Sequence, residues 1–137
     1  IEIFLSLADV HINRMPVAGK VARIVYRKGQ FHDAREHRAA AENERNAIVL
    51  DAAEGAVGVI QIAGRVARRI RCDLTEGQNV IAGQRLGLIR FGSRAALYLP
   101  AAYVALVHEG QRAVGGETVR AALPDAALAP RDRTVTQ

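Results

Sequence analysis

Short apolar runs, each broken by glycine or by a polar cluster, carry the chain from Ile1 to Leu123. Ile1 to Leu7 reads as a strand that runs into a loop over Asp9 to Pro16. Gly19 opens a second strand, Lys20 to Arg27, with Val21, Ile24 and Val25 as its apolar positions, and Gly29-Gln30 ends it. Ala47 to Asp51 and Ala56 to Ala63 predict two strands around a turn at Glu54-Gly55. Arg65 to Cys72 alternates, with Val66, Arg68, Ile70 and Cys72 on one face and Arg65, Arg69 and Arg71 mostly on the other, which predicts a further strand. Leu86 to Ile89 and Ala95 to Leu99 predict two more strands, with Gly92-Ser93 at the joint between them. Asp33 to Asn46 is polar, charged and Ala-rich, and predicts a short helix or an ordered loop. Past Leu123 the chain turns to Pro124-Asp125 and then to Ala, Arg and polar residues, so residues 124–137 are expected to form a disordered tail.

Two internal echoes sharpen the fold class. Ala18-Gly19-Lys20-Val21-Ala22-Arg23 returns as Ala63-Gly64-Arg65-Val66-Ala67-Arg68, and Glu76-Gly77-Gln78 with Gly83 returns as Glu109-Gly110-Gln111 with Gly116. A strand bracketed by Gly-centred turns exposes one apolar face. Two such units can close on each other as a flattened barrel. The chain is therefore read as all-β. The E-G-Q-x-V-x-x-G pattern resembles the biotinyl/lipoyl-like hybrid motif, which implies a barrel-sandwich of quasi-repeated halves.

Composition narrows the function classes. The 137 residues suffice for one domain with a modest core. There is no Trp and few other aromatics, so Val, Ile, Leu and Ala must build that core. A net charge of +5 suits an anionic membrane or a nucleic acid. The few aromatics do not interleave with the basic residues, and no helix-turn-helix or zinc spacing appears, so a nucleic-acid partner is not expected. The single Cys72 excludes an internal disulfide and a Cys-based metal site, and fits a reducing compartment. No apolar run of about 18 residues is present, and no metal site is expected. The chain opens on Ile1 within a strand, and a preceding N-terminal part of a longer protein is expected.

Gly-Ser at a joint between strands ordinarily marks a tight turn, because Gly takes backbone shapes others avoid and Ser bonds the local backbone. Here the pair closes the pattern G-x-x-x-G-x-I-x-F-G-S from Gly83 to Ser93. That pattern resembles the self-cleavage segment of the phosphatidylserine decarboxylases. Phe4 to Pro16 is similar to the family's F-L-S-x-x-D-x-H-x-x-x-x-P segment, Asn43-Glu44-Arg45 to its N-E-R, and Val57-Gly58 with Ile62-Ala63 to its V-G-x-x-x-I/V-A/G strand. The segments occur in the family's order and reach from residue 1 to about residue 123 as one catalytic domain. Arg94, where Thr is common, points to the compact branch.

The resemblance implies a carboxy-lyase whose Gly92-Ser93 bond breaks itself, leaving a β chain of 1–92 and an α chain of 93–137. Ser93 Oγ would attack the Gly92 carbonyl to give an ester, which glycine does not obstruct. Elimination would then leave a pyruvoyl cofactor at position 93, an electron sink for loss of CO2. The implied substrate is phosphatidylserine in an anionic membrane surface, at the cytoplasmic face, with phosphatidylethanolamine as product. The cleaved chains are expected to stay together, with a homodimer as an option. His11 is the candidate for proton transfer, and Asp9 either orients it or holds the loop. Arg14 stands where long-form members have a second histidine. It cannot act as a base at neutral pH, but it can bind a carboxylate or phosphate. The family also has a catalytic Asp upstream of these segments. His32, His37 and His108 match no motif and are taken as surface residues. The alternative is a non-catalytic barrel-sandwich that binds a partner or carries a cofactor on Lys20 or Lys28, the chain's two lysines.

Overall fold

The structure, a computed structural model, describes residues 1–66, 69–90 and 92–124. The strands are β1 (Glu2–Leu5), β2 (Ile12–Arg14), β3 (Gly19–Arg27), β4 (Arg45–Ala52), β5 (Gly55–Ile62), β6 (Ile70–Cys72), β7 (Asn79–Val80), β8 (Arg85–Ile89), β9 (Ser93–Tyr98), β10 (Val104–Ala105) and β11 (Ala121–Ala122). The helix α1 spans Ala39–Glu42. A six-stranded sheet runs β1-β9-β5-β4-β3-β7, a three-stranded sheet runs β2-β8-β6, and β10 pairs with β11. All these pairings are antiparallel. The fold is all-β and barrel-like, as the apolar pattern predicts. Among the described residues no helix is long and apolar enough to cross a membrane.

Strand alternation builds the core. In β4, Asn46, Ile48 and Leu50 point inward; in β5, Val57, Val59 and Gln61 do. Val21 and Ile24 break strict alternation, yet both meet the core because the β3–β4 register shifts between Val21 and Arg23. The bulge explains why apolar residues three apart share one face. Met15, Leu74 and Leu86 on the small sheet's side meet Val21, Ile48, Leu50, Val57 and Val59 on the large one. Each fully buried Ile or Leu contributes about 1.5–3 kcal/mol. A polar seam also crosses between the sheets: Asn46 Nδ2 donates to Gln61 Oε1 at 3.1 Å, and Gln61 Nε2 donates to Asn13 Oδ1 at 2.9 Å.

Several expectations change. The loop from Asp9 to Pro16 contains β2, whose three residues pair with β8. Arg65 to Cys72 is a strand only from Ile70. Arg65 and Val66 bend away, with Val66 63% exposed, and Ala67 and Arg68 lie outside the described residues. The reason is lost pairing: β4 begins at Arg45 opposite Ile62 and β9 begins at Ser93, so a chain continuing past Ala63 has no ladder on either side. The polar stretch from Asp33 is an ordered loop with one helical turn, and it yields to β4 by Arg45. In the first echo, the copy from Gly19 is a strand, whereas in the other copy Arg65 and Val66 bend. The second holds closely. Thr75 N–H donates to Gln78 Oε1 and His108 N–H to Gln111 Oε1, both at 3.2 Å, and Gly77 and Gly110 both have positive φ. The expected tail lies outside the described residues from Asp125 onward.

Candidate active site

The joint at Gly92-Ser93 lies where β1, β5 and β9 meet. β9 is flanked by β1, with Leu5 opposite Ser93, and by β5, with Ile62 opposite Arg94. Gly92 has φ +68°, a left-handed conformation that favours glycine. Ser93 is 0% exposed, so the joint where Gly-Ser statistics expect a tight turn is buried, and Ser93 opens β9 there. Its Oγ has no hydrogen-bond partner. A buried hydroxyl left unpaired costs about 1–3 kcal/mol, and native folds seldom retain one without use.

His11 reaches this joint. Its Nε2 accepts a hydrogen bond from the Gly92 N–H at 3.1 Å, and its carbonyl accepts one from Ile89 N–H at 3.2 Å. That contact requires a neutral ring with the proton on Nδ1. Asp9 holds the loop that delivers His11: Ser6 N–H donates to Asp9 Oδ2 at 2.8 Å, and Asp9 N–H donates to the Ser6 carbonyl at 3.2 Å. The bonds to Ser6 lower the Asp9 pKa, and His11 is the weakest contributor. These bonds give Asp9 the loop-holding role, and the nearby His11 also acts on its carboxyl.

Arg14 is not brought to the same place. It pairs with Arg85 at the far end of β8 and donates through Nη1 to the Gly83 carbonyl at 3.0 Å. Other arginines stand nearer. A cavity of about 450 Å³ opens beside Gly92, walled by Phe4, Leu7, Ala34 and Val66, with Arg35, Arg65 and Asp33 as its charged groups. Arg35 binds Asp33 through Nη2 at 2.7 Å and Nε at 3.1 Å, and lies 5.8 Å from the centre of the Phe4 ring. These bonds, with a smaller contribution from Arg65, hold the Asp33 carboxyl at about 2.

Behind this cavity the loop is pinned from the core. Buried Asn43 accepts from His32 N–H at 2.9 Å and donates to the carbonyls of His32 at 2.9 Å and Ala63 at 2.8 Å. Arg45 donates to the carbonyls of Ala40 and Ala41 at the end of α1. Arg94, 6% exposed, donates to the carbonyls of Ala34 and Glu36 and pairs with Glu2 at 3.0 Å. The N-E-R segment and Arg94 therefore stitch the cavity wall to the strands. Sequence reasoning did not place Arg35, Arg65 or Gly64 at the site. The one available signal was that the Ala63-Gly64 step ends a strand just before an arginine. His32, taken as a surface residue, is half-buried and bonds Glu42 at 2.9 Å; His37 and His108 are exposed. Lys20 lies inside β3 between β4 and β7, not at a hairpin tip where a carrier lysine would sit. Among the described residues no three His, Cys, Asp or Glu side chains converge as metal ligands.

Comparison with known families matches residues 1–121 to phosphatidylserine decarboxylase. The chain belongs to the phosphatidylserine decarboxylase family. It is similar to the phosphatidylserine decarboxylase proenzyme of Rhodospirillum rubrum, at 52% identity over 127 residues, covering 92% of this chain and 54% of that protein. It is also similar to the proenzyme of the same name from Granulibacter bethesdensis, at 55% identity over 121 residues, covering 88% of this chain and 50% of that protein. The chain thus spans about half the length of these curated relatives. No solved structure matches it. In this member of the phosphatidylserine decarboxylase family the motif histidine and the Gly-Ser pair are in contact through a hydrogen bond from the Gly92 N–H to the His11 ring.

Proposed function

We propose that this chain is the catalytic domain, residues 1–123, of a phosphatidylserine decarboxylase that cleaves itself between Gly92 and Ser93. The observation that carries the reading is the buried, unpartnered Ser93 hydroxyl beside a glycine whose N–H is held by His11. Ser93 Oγ adds to the Gly92 carbonyl carbon, the bond from that carbon to Ser93 nitrogen breaks, and the hydroxyl proton ends on the nitrogen. A base then removes the Ser93 Cα proton and the Gly92 carboxylate leaves. The dehydroalanine remaining takes up water and loses ammonia, giving the pyruvoyl group. The strand start that buries Ser93 fits such a group, which supplies the electron sink for loss of CO2.

Before cleavage, His11 Nε2 is engaged by Gly92 and fixes that residue. After cleavage Gly92 ends a separate chain, and His11 is placed to return a proton to the substrate carbon. The cavity beside Gly92 takes the phosphoserine headgroup, with Arg65 and Arg35 facing its anionic groups. Arg14, at the far end of β8, takes no part in that contact. The enzyme works peripherally on an anionic membrane, with exposed Leu7 and Val66 beside the cavity mouth. The unpaired Cys72 fits the cytoplasmic face.

Intact mass of the full-length protein tests the reading. The expected result is a small fragment that begins at residue 93 with a blocked, pyruvoyl N-terminus. A fragment with a free serine amine would mean ordinary hydrolysis and end the proposal. His11→Ala is expected to lower decarboxylation by about 10²–10⁴-fold, the usual worth of one acid-base group. A mutant that turns over normally returns His11 to a loop histidine.

A further inference from the structure

Gly64 follows Ala63 just past the end of β5, two residues beyond the last β5–β9 pair, Ile62 with Arg94, which brings it level with Gly92 without a ladder bond. A Cβ on Gly64 would lie 1.8 Å from the Gly92 carbonyl oxygen and 2.9 Å from its carbon. Both are backbone atoms, so no change of rotamer relieves the clash. The Gly64 Cα–H in that direction points at the carbonyl oxygen of the very bond proposed to break. The step that carries Gly64 is held firmly. Ala63 is fully buried, its N–H donates to the Glu44 carbonyl at 2.9 Å, and its carbonyl accepts from Asn43 Nδ2 at 2.8 Å. On the same side, the Ala34 methyl lies 3.4 Å from that Cβ position, and the Ala34 carbonyl is fixed by Arg94.

We propose that Gly64 is a positioning residue for self-cleavage, which seats the Gly92 carbonyl against the anchored end of β5. The inference rests on the proposed self-cleavage and adds the device that orients the reacting peptide. Attack by Ser93 Oγ needs a fixed approach to the carbonyl carbon, and a displacement of about 1 Å in such a reaction costs on the order of 10²-fold in rate. Any side chain at position 64 rotates or shifts the peptide between 92 and 93 by pressing on its oxygen. Asn43 acts at one remove, by holding Ala63.

The test uses full-length protein and follows cleavage by intact mass over time. Hydroxylamine is added to split any chain stalled at the ester, and a thermal melt is recorded for each variant. Gly64→Ala is expected to remain a single chain, slowed by about 10²-fold, with no hydroxylamine-sensitive ester and a cooperative melt. Gly19→Ala is the control. There a Cβ would lie 2.6 Å from the Asp51 carbonyl oxygen, a backbone crowding in the same sheet away from the joint. It is expected to melt earlier but to cleave at the wild-type rate. Gly64→Ala that cleaves at the wild-type rate overturns the inference. If Gly64→Ala does not melt cooperatively, Asn43→Ala carries the test, because it removes the donor to the Ala63 and His32 carbonyls without setting a charge against them. Cleavage slowed by about tenfold supports the anchor, and an unchanged rate overturns it. A wild-type protein that never splits defeats the self-cleavage reading itself, an outcome distinct from either variant result.

Discussion

Ser93 Oγ is a polar atom removed from water and given no partner, so its removal should not weaken the fold. Ser93→Ala is expected to abolish cleavage and to melt no lower than the uncleaved precursor that still carries the Ser93 hydroxyl. Deleting an unsatisfied buried hydroxyl can recover part of a penalty of about 1–3 kcal/mol. Intact mass and thermal melts of the full-length variant and of freshly made, uncleaved precursor check both halves, and a melt well below that of the precursor would mean that the hydroxyl is bonded. The sequence reached Ser93 and His11 through their motifs but misjudged the setting of Ser93. Gly-Ser statistics describe local backbone, whereas burial comes from β1 and β5 closing on either side of β9. Arg14 shows the same limit: its place in the motif is local, but its partner Gly83 lies 69 residues away. Gly64 was visible only as half of an echo, because nothing local says that its missing side chain makes room for another strand's carbonyl.

The loop before β4 is the element that composition left undecided, since Ala-rich polar sequence suits a helix and a solvated loop alike. Tertiary bonds decide it. Asn43 and Arg45 close a single helical turn, and the isolated bridge of Gln30 with Asn43 ties the loop's ends together. The loop's outer edge is held by Asp33 and Arg35, which also line the cavity beside Gly92. The bonds from Arg35 hold the Asp33 carboxyl down at about 2, below its ordinary 3.8. A depressed folded-state pKa gives stability that is present above 3.8 and lost as pH falls through about 2. The pair is partly solvated, so its contribution is small. Acid titration of the melting temperature should therefore show a wild-type decline between these values that Asp33→Asn lacks. Equal acid sensitivity in both proteins would mean that the Asp33–Arg35 pair does not hold the loop. β2 was missed for a related reason: only three residues of a polar segment pair, and they do so with β8, far along the chain.

At the scale of the whole molecule, the proposed cleavage falls at the start of β9, which stays hydrogen-bonded to β1 on one side and β5 on the other. Forming the pyruvoyl group costs at most the first pair of the β1–β9 ladder, Leu5 with Ser93, and the pairs from Arg94 onward remain on both sides, so the two chains remain one fold, with the buried Arg94 holding the new end through Ala34, Glu36 and Glu2. The class of this fold was legible because strand alternation and Gly-Gln turns are local. Its closure was not, because it depends on which strand ends lie side by side. Charge and shape now combine at one place. The net charge is +5, Arg35 and Arg65 line the cavity, and Leu7 and Val66, 61% and 63% exposed, stand beside them. A face of this kind should meet an anionic bilayer with its cations at the headgroups and its apolar tips below them. Full-length protein should sediment more with vesicles containing anionic lipid than with neutral ones. The difference should shrink as salt rises, since exposed charges are screened beyond about 10 Å at 0.1 M. Arg65→Gln should narrow that difference at low salt, while Leu7→Ser should weaken binding to both vesicle types at every salt concentration. Equal binding of the wild type to neutral and anionic vesicles at low salt would remove the arginines from membrane contact and leave only their place in the cavity.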